Sequence, residues 1–306
     1  MAATVIQPHE GIEVKHICAL IYGQPGARKS SLCQTADNPI TLAFDQGIYR
    51  AFSRKTAVLF DSWADVISFD LRPYRTIVVD TIGMALEKLM ATIIAASPKN
   101  GNRMGGMSLP GYGILKTQFA SWVSSIRELG IDLVFTAHEK GEKLGDETYH
   151  CPEIVGGSYA TVMNVCDVVG YCHFEGGKRV IDFAPSDRFM AKTPPCGWTQ
   201  LLLPDFASSP DFLAKLLADA KASMGRVSEE SAKIAGLVES WREWLASDPS
   251  LAQVNARITA EFPNMDKTAK PQVWKLVTET MTRAGVLWDA QAKAFKAPTV
   301  PLGASA

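Results

Sequence analysis

ICALIYGQPGARKSSL, Ile17 to Leu32, is the stretch whose reading decides the fold. An apolar, β-branched run from Ile17 to Tyr22 stops at Gly23, crosses a short loop and enters a helix carrying Lys29, Ser30 and Ser31. Strand, glycine loop and helix start are the local order of a phosphate-binding loop, G-x-x-x-x-G-K-[ST], and Gly23, Lys29 and Ser30 fall at its spacing. In such a loop backbone N–H groups wrap phosphate oxygens and the helix N-terminus adds its positive dipole end. The loop candidates are therefore Gly23, Gln24, Pro25, Gly26, Ala27, Arg28, Lys29, Ser30 and Ser31. Lys29 would reach the β/γ-phosphates, and the Ser30 hydroxyl would ligate Mg²⁺. Arg28 stands where the pattern has its second glycine, so its side chain must either clash or bend outward.

Working outward, Asn38-Pro39 marks a turn and Ile40 to Asp45 reads as a second strand. Ala57 to Phe60 suggests a short strand, and Trp63 to Ile67 a helical stretch. TIVVD, Thr76 to Asp80, is a continuous apolar run ending in an acid, the pattern of a strand buried on both faces of a parallel sheet. Asp80 follows Lys29 by about fifty residues and is the second Mg²⁺ candidate, with Thr81 beside it as a weaker one. A helix is expected from Gly83 to Ala96, then a mobile loop over 97–112, then a helix from Gly113 to Leu129 capped by Gly130. Ile131 to His138 is the fourth strand. Residues 139–157 read as a loop or hairpin, and Val165 to His173 and Arg179 to Phe183 as late strands joined at Glu175-Gly176-Gly177.

Composition changes after Pro204. Pro210 to Met224 is expected as a helix and Gly225 to Ser228 as a linker. Three further helices follow: one presenting Ile234, Leu237, Trp241 and Leu245, one capped by Ser250, and one from Gln272 to Ala284. Alternating strands and helices followed by antiparallel strands give an α/β fold with a mostly parallel sheet and a small C-terminal helical domain. The expected division is 1–225, 226–296, and a Pro/Ala/Gly tail at 297–306 without order.

The chain has 306 residues, 47% apolar, and a net charge of −1, so no global basic field draws it to nucleic acid. No run of about 18 apolar residues is present, which argues against a membrane span. The six cysteines are scattered rather than framed as a disulfide scaffold, and a reducing cytoplasm is the expected location. Cys166, Cys172, His173, His150 and Cys151 have poor spacing for zinc and read better as small core residues.

Hydrolysis needs a group that orients the attacking water. Asp45, at the end of the second strand, is the candidate, with Glu87 more readily solvated. His138, ending the fourth strand, is placed to donate to a γ-phosphate oxygen or a water. Basic and aromatic residues for single-strand contact are sparse: Lys99, Arg103 and Tyr112 in one loop, Lys140 and Lys143 in the next, the latter pair mixed with acids.

The ordered set IYGQPGARKSSL, TIVVDT, VFTAHEK, DVVGY and RVIDFAPSDRFMAKTP resembles the phage RecA-like P-loop ATPases, and among them the Sak-type ATP-dependent single-strand annealing proteins, over about residues 14–200. The resemblance implies a RecA-like core that uses ATP and Mg²⁺, binds single-stranded DNA and promotes strand annealing or pairing in a bacterial host. It also implies a homo-oligomer, ring or filament, with nucleotide between subunits, and a single-strand DNA-binding protein as a partner. Lys192, in MAKTP, matches a late lysine that such proteins insert into a neighbour's site to neutralise transition-state charge. Arg28, and the lack in FDQG of the glutamate that activates water in RecA-type enzymes, both point to slow or DNA-dependent turnover. Two other readings remain open: a helicase-related motor or loader, and a nucleotide-sensing assembly module with little hydrolysis.

Overall fold

Three apolar runs of the sequence lie side by side at the centre of one sheet. The computed structural model describes residues 5–297 except 46, 48, 50, 52, 53 and 146. Strand β1 (Cys18–Gly23) leads into α1 (Lys29–Cys33), β2 (Pro39–Ala43), β3 (Ala57–Leu59), α2 (Trp63–Ser68), β4 (Thr76–Asp80) and α3 (Ile82–Ala96). Then come α4 (Leu109–Glu128), β5 (Asp132–Leu144), β6 (Glu147–Pro152), α5 (Ser158–Val165), β7 (Val168–Glu175), β8 (Lys178–Asp182) and β9 (Gln200–Leu202). The last elements are α6 (Phe212–Ala246), α7 (Leu251–Glu261), α8 (Ala269–Arg283), β10 (Leu287–Asp289) and β11 (Ala294–Lys296).

The main sheet has the order β3-β2-β4-β5-β1-β7-β8-β9, with β6 paired to the outer part of β5. From β3 through β7 neighbouring strands are parallel, whereas β8, β9 and β6 join antiparallel. Helices cover both faces. On one, Leu20, Tyr22, Ile77, Val79 and Phe135 pack against Leu86, Leu89, Leu115, Phe119 and Trp122 of α3 and α4. On the other, Ile21, Val78 and Val134 pack with Leu32 of α1 and Leu213, Leu216 and Leu217 of α6. A parallel strand buried on both faces has no polar side to present, which is why β1 and β4 read as unbroken apolar runs.

The contacts divide the chain into two compact units. One is Val14–Met224; the described residues before Val14 group with those from Gly225 onward. Within the second unit the Ile12 N–H donates to Ser228 Oγ at 2.7 Å. Its core is built from Trp241, Val254, Ile258, Phe262, Val273, Val277 and Phe295. Trp241 is fully buried, and its Nε1–H donates to Glu261 at 2.9 Å while the Arg257 guanidinium lies over its ring at 4.2 Å. Ser250 caps α7 as expected, in a reciprocal pair with Gln253.

Several expectations are corrected. Gly225 to Ser228 is not a linker, because α6 runs through it without interruption; one glycine weakens a helix by only about 1 kcal/mol relative to alanine, which its apolar contacts outweigh. The segment expected as a loop up to 112 ends earlier, since Ser108 caps α4 and Pro110 sits in its first turn. Tyr112 is therefore a half-buried helix residue packed on the core, not a loop aromatic. What remains of that loop is tied: Asn102 Oδ1 accepts from the N–H groups of Met104 and Gly106 at 2.9 and 3.0 Å. β9, α5 and the β10–β11 hairpin were not foreseen, each being a short element. The tail from Ala297, apart from that residue, lies outside the described residues. Among the described residues no helix is long and apolar enough to cross a membrane.

Candidate nucleotide site

Register sets the site. Gly23 at the end of β1 stands opposite His138 of β5 on one side and Cys172 of β7 on the other, and Ala43 of β2 stands opposite Asp80 of β4. The carboxyl ends of the parallel strands therefore converge on the loop that opens α1, where ligands bind in open α/β sheets. A pocket of about 350 Å³ lies there, walled by Gly26, Arg28, Lys29, Ser30, Asp45, Asp80, Thr81 and His138, among others.

The loop is held in place by its neighbours. The Gln24 N–H donates to the Cys172 carbonyl at 3.1 Å, and Lys29 Nζ donates to the carbonyls of Gly23 and Gln24 at 2.8 and 3.0 Å. Lys29 is only 8% exposed. Burial lowers its pKa, opposed by Cys172, Asp80 and Glu139. Arg28 adopts φ 66° and ψ 28°, the left-handed conformation that suits the expected glycine, and its exposed side chain borders the pocket without a clash. Of the two outcomes left open, the side chain bends outward. A non-glycine residue in that region is strained by about 1 kcal/mol. Arg28→Gly is thus expected to raise the melting midpoint by roughly 2–4 °C while weakening nucleotide binding several-fold through loss of a cation on the pocket wall; paired thermal melts and nucleotide titrations check both.

Asp80 is 4% exposed. Its Oδ1 accepts from the Thr136 hydroxyl at 2.5 Å, and it also bonds Ser30. Burial pushes its carboxyl pKa up, the bonds from Thr136 and Ser30 pull it back, and Asp45 adds to the rise. The Asp80–Thr81 peptide is cis. Thr81 Oγ1 is buried without a hydrogen-bond partner among the described residues, and Thr81 lines the same pocket. A buried hydroxyl left without a partner, beside a Ser hydroxyl and a carboxylate, fits a site made to receive oxygen-coordinated Mg²⁺ and phosphate, since Mg²⁺ takes few protein ligands and completes its shell with phosphate and water.

The folded Asp80 keeps its proton to higher pH than the unfolded chain does. Its contribution to stability is therefore greatest at acid pH and falls as pH rises from the ordinary carboxylate range through the raised value. At neutral pH, Asp80→Asn is expected to melt a few degrees higher without nucleotide and to lose the further rise given by Mg²⁺ with ATP. A melt series with and without both ligands checks this; a surviving Mg²⁺-dependent rise would remove Asp80 from the metal site.

The other candidates sort by position. Asp45 is half-buried, lines the pocket and accepts from the Gly47 N–H at 2.8 Å through Oδ1. His138 is exposed at the end of the sheet-central part of β5 and lines the pocket too. Glu87 is exposed on α3 and does not. Lys192 stands apart: its Nζ donates to the Cys166 carbonyl at 2.6 Å, and Cys166 precedes β7, at the opposite end of that strand from Cys172. Lys99 and Arg103 are exposed on the tied turn; Lys140 and Lys143 are exposed on the β5–β6 hairpin, with Lys140 paired to Glu142 at 2.7 Å. Two contributors were missed. Thr136 positions Asp80, and the Cys172 carbonyl anchors the loop; alternation along the fourth strand, two residues back from His138, was the available sign of the first. Cys172 is buried, whereas His173 bonds Asp182 at 2.6 Å.

A family model for the AAA domain matches residues 15–194. The chain belongs to the AAA domain family. Its AAA domain is the mostly parallel sheet just described, and the chain is a P-loop ATPase. Among solved structures, a KaiC-like protein of the hyperthermophilic archaeon Pyrococcus horikoshii OT3 is similar, at 11% identity over 64% of this chain and 99% of that one, with a TM-score of 0.35. No match was found among curated proteins.

Proposed function

We propose that this AAA domain binds ATP with Mg²⁺, hydrolyses it slowly or in response to DNA, and uses the cycle to bind single-stranded DNA and promote strand annealing. One observation carries the reading. β5 brings His138 to the phosphate pocket and continues without a break into the exposed hairpin bearing Lys140 and Lys143. A ligand contact midway along a strand has a direct mechanical route to the surface at that strand's end.

Within the site, Lys29 and the N–H groups of the loop hold the phosphates, and Ser30 and Asp80 hold the metal, which when bound offsets phosphate charge. Thr136 keeps the Asp80 carboxylate aimed. Asp45 and His138 are the side chains placed to orient a water. Lys192 lies outside its own chain's pocket, as a residue given to a neighbouring subunit in a ring or filament would. Annealing of complementary oligonucleotides, with ATP, with ADP and without nucleotide, tests the proposal alongside the DNA dependence of phosphate release. ATP-dependent annealing with DNA-stimulated release is expected; no single-strand binding in any nucleotide state would sink it.

A second reading is favoured by the pocket's acids. Among the described residues, Asp45 and Asp80 are the carboxylates in its wall, and no glutamate joins them. Such a site suits a nucleotide-sensing assembly module that turns over little. Nucleotide-dependent particle size with no phosphate release, even with DNA present, would select it.

A further inference from the structure

The second unit carries a pocket that the nucleotide reading does not use. It measures about 880 Å³ and its floor is apolar and aromatic, with Phe262, Trp274 and Trp288, while Lys267, Lys270 and Lys293 stand on its rim. Phe262 is buried, the two indoles are half-buried, and all three lysines are exposed. Among the described residues no acidic residue lines it. The nearest carboxylates in sequence are engaged elsewhere: Asp266 accepts from the N–H groups of Thr268 and Ala269, Asp289 pairs with Lys296 at 2.7 Å, and Glu261 bonds Trp241 and Arg257. Residues 226–296 hold ten Lys/Arg against nine Asp/Glu, so three unopposed ammonium groups around one apolar hollow are a local asymmetry, not a general basicity.

We propose that this pocket docks an acidic segment of a partner protein, with an aromatic or large aliphatic side chain in the hollow and flanking carboxylates on the three lysines. Charge complementarity selects an anion, and the apolar floor selects one that carries a hydrophobic side chain. The ring geometry favours a side chain over stacked bases. Trp274 and Trp288 meet at 86° with centroids 4.7 Å apart, and Phe262 meets Trp274 at 71°. These edges and faces form a corner, which receives one inserted group; successive bases of a single strand need platforms in series along a basic track. The lysines suit carboxylates as mobile point charges, with no arginine fork among them for bidentate phosphate recognition.

The test uses the full chain and a short fluorescein-labelled peptide of Asp and Glu around a single Phe, read by anisotropy, with the tryptophan emission as a second signal. Saturable binding that weakens with added salt is expected. Replacing the peptide's Phe by Ser, or its acids by Lys, should each weaken binding by at least about tenfold, as should the triple variant Lys267→Glu/Lys270→Glu/Lys293→Glu. Thr259→Trp, which fills the wall from an exposed position, should do the same without touching a charge. Melting curves establish that each variant is folded, and Lys270→Glu alone serves if the triple one is not. Absence of binding, equal affinity for the Lys peptide, or equal affinity in the folded variants would overturn the proposal. Displacement of the peptide by oligothymidine at lower concentration than unlabelled peptide would overturn it in favour of a nucleic-acid surface.

Discussion

Lys29→Ala is expected to lower nucleotide affinity by at least about a hundredfold and to take phosphate release to background, with little change in the melting midpoint of the nucleotide-free protein. The side chain is buried on the carbonyls of Gly23 and Gln24, with its ammonium among Cys172, Asp80 and Glu139. Burial penalises its charge, so the wild-type protein already carries that penalty before ligand arrives, and alanine relieves it while leaving two carbonyls to water. The two effects on the free protein oppose each other. For the complex they do not, because the phosphate charge loses its nearest fixed cation. Saturating ATP at a hundred times its dissociation constant stabilises a protein by about 2.7 kcal/mol, so the ATP-dependent rise in midpoint should vanish in the variant. The pH dependence has a definite sign. Since the folded pKa of Lys29 is lowered, the free protein gains stability from this group as pH rises through that value towards the unfolded one. Nucleotide binding, which needs the charged form, should weaken over the same alkaline range. Isothermal titration at neutral and alkaline pH checks both statements; unchanged affinity in Lys29→Ala would remove the phosphate-loop assignment.

The parts of this site that were legible from sequence are those where one residue type does one local job. An apolar run ending in Gly23, a Lys-Ser pair opening a helix and an acid closing TIVVD each lie in the structure where their spacing puts them. β1, β4 and the inner half of β5 were readable because burial on both faces forces continuous hydrophobicity. What sequence did not carry was register. That Thr136 meets Asp80, and that the Cys172 carbonyl reaches Gln24, depends on which strands become neighbours. Helix continuity was misjudged at Gly225 because glycine reads as punctuation, whereas in α6 its small local penalty is outvoted by contacts on either side. Trp241, which helical spacing puts on an apolar face, is fully buried in α6. Trp274 and Trp288 instead share an open corner, because a three-residue hairpin strand that no pattern announced brings Trp288 against α8.

Gly23→Ala is expected to destabilise the AAA domain by more than about 3 kcal/mol, enough to lower its midpoint by roughly 10 °C. A β-carbon at this position would lie 1.9 Å from the Cys172 carbonyl oxygen, 2.8 Å from its carbon and 3.0 Å from the Cys172 nitrogen. All three are backbone atoms of β7, paired with β1 at this very residue, so no side chain can swing away to make room. The backbone there also has φ 144°, outside the range that an L side chain readily adopts. Relief requires the end of β7 to part from β1, which breaks the bond from the Gln24 N–H to Cys172 and releases the carbonyls that hold Lys29. Stability and nucleotide binding should therefore fall together. Gly26→Ala supplies the contrast within the same loop. Its φ is 79°, yet a β-carbon there meets nothing within 4 Å among the described residues, so its loss should be confined to about 1–2 kcal/mol of left-handed strain. Urea titrations of the two variants separate crowding from strain: equal losses would mean that the close passage of β7 behind Gly23 is not what fixes this loop.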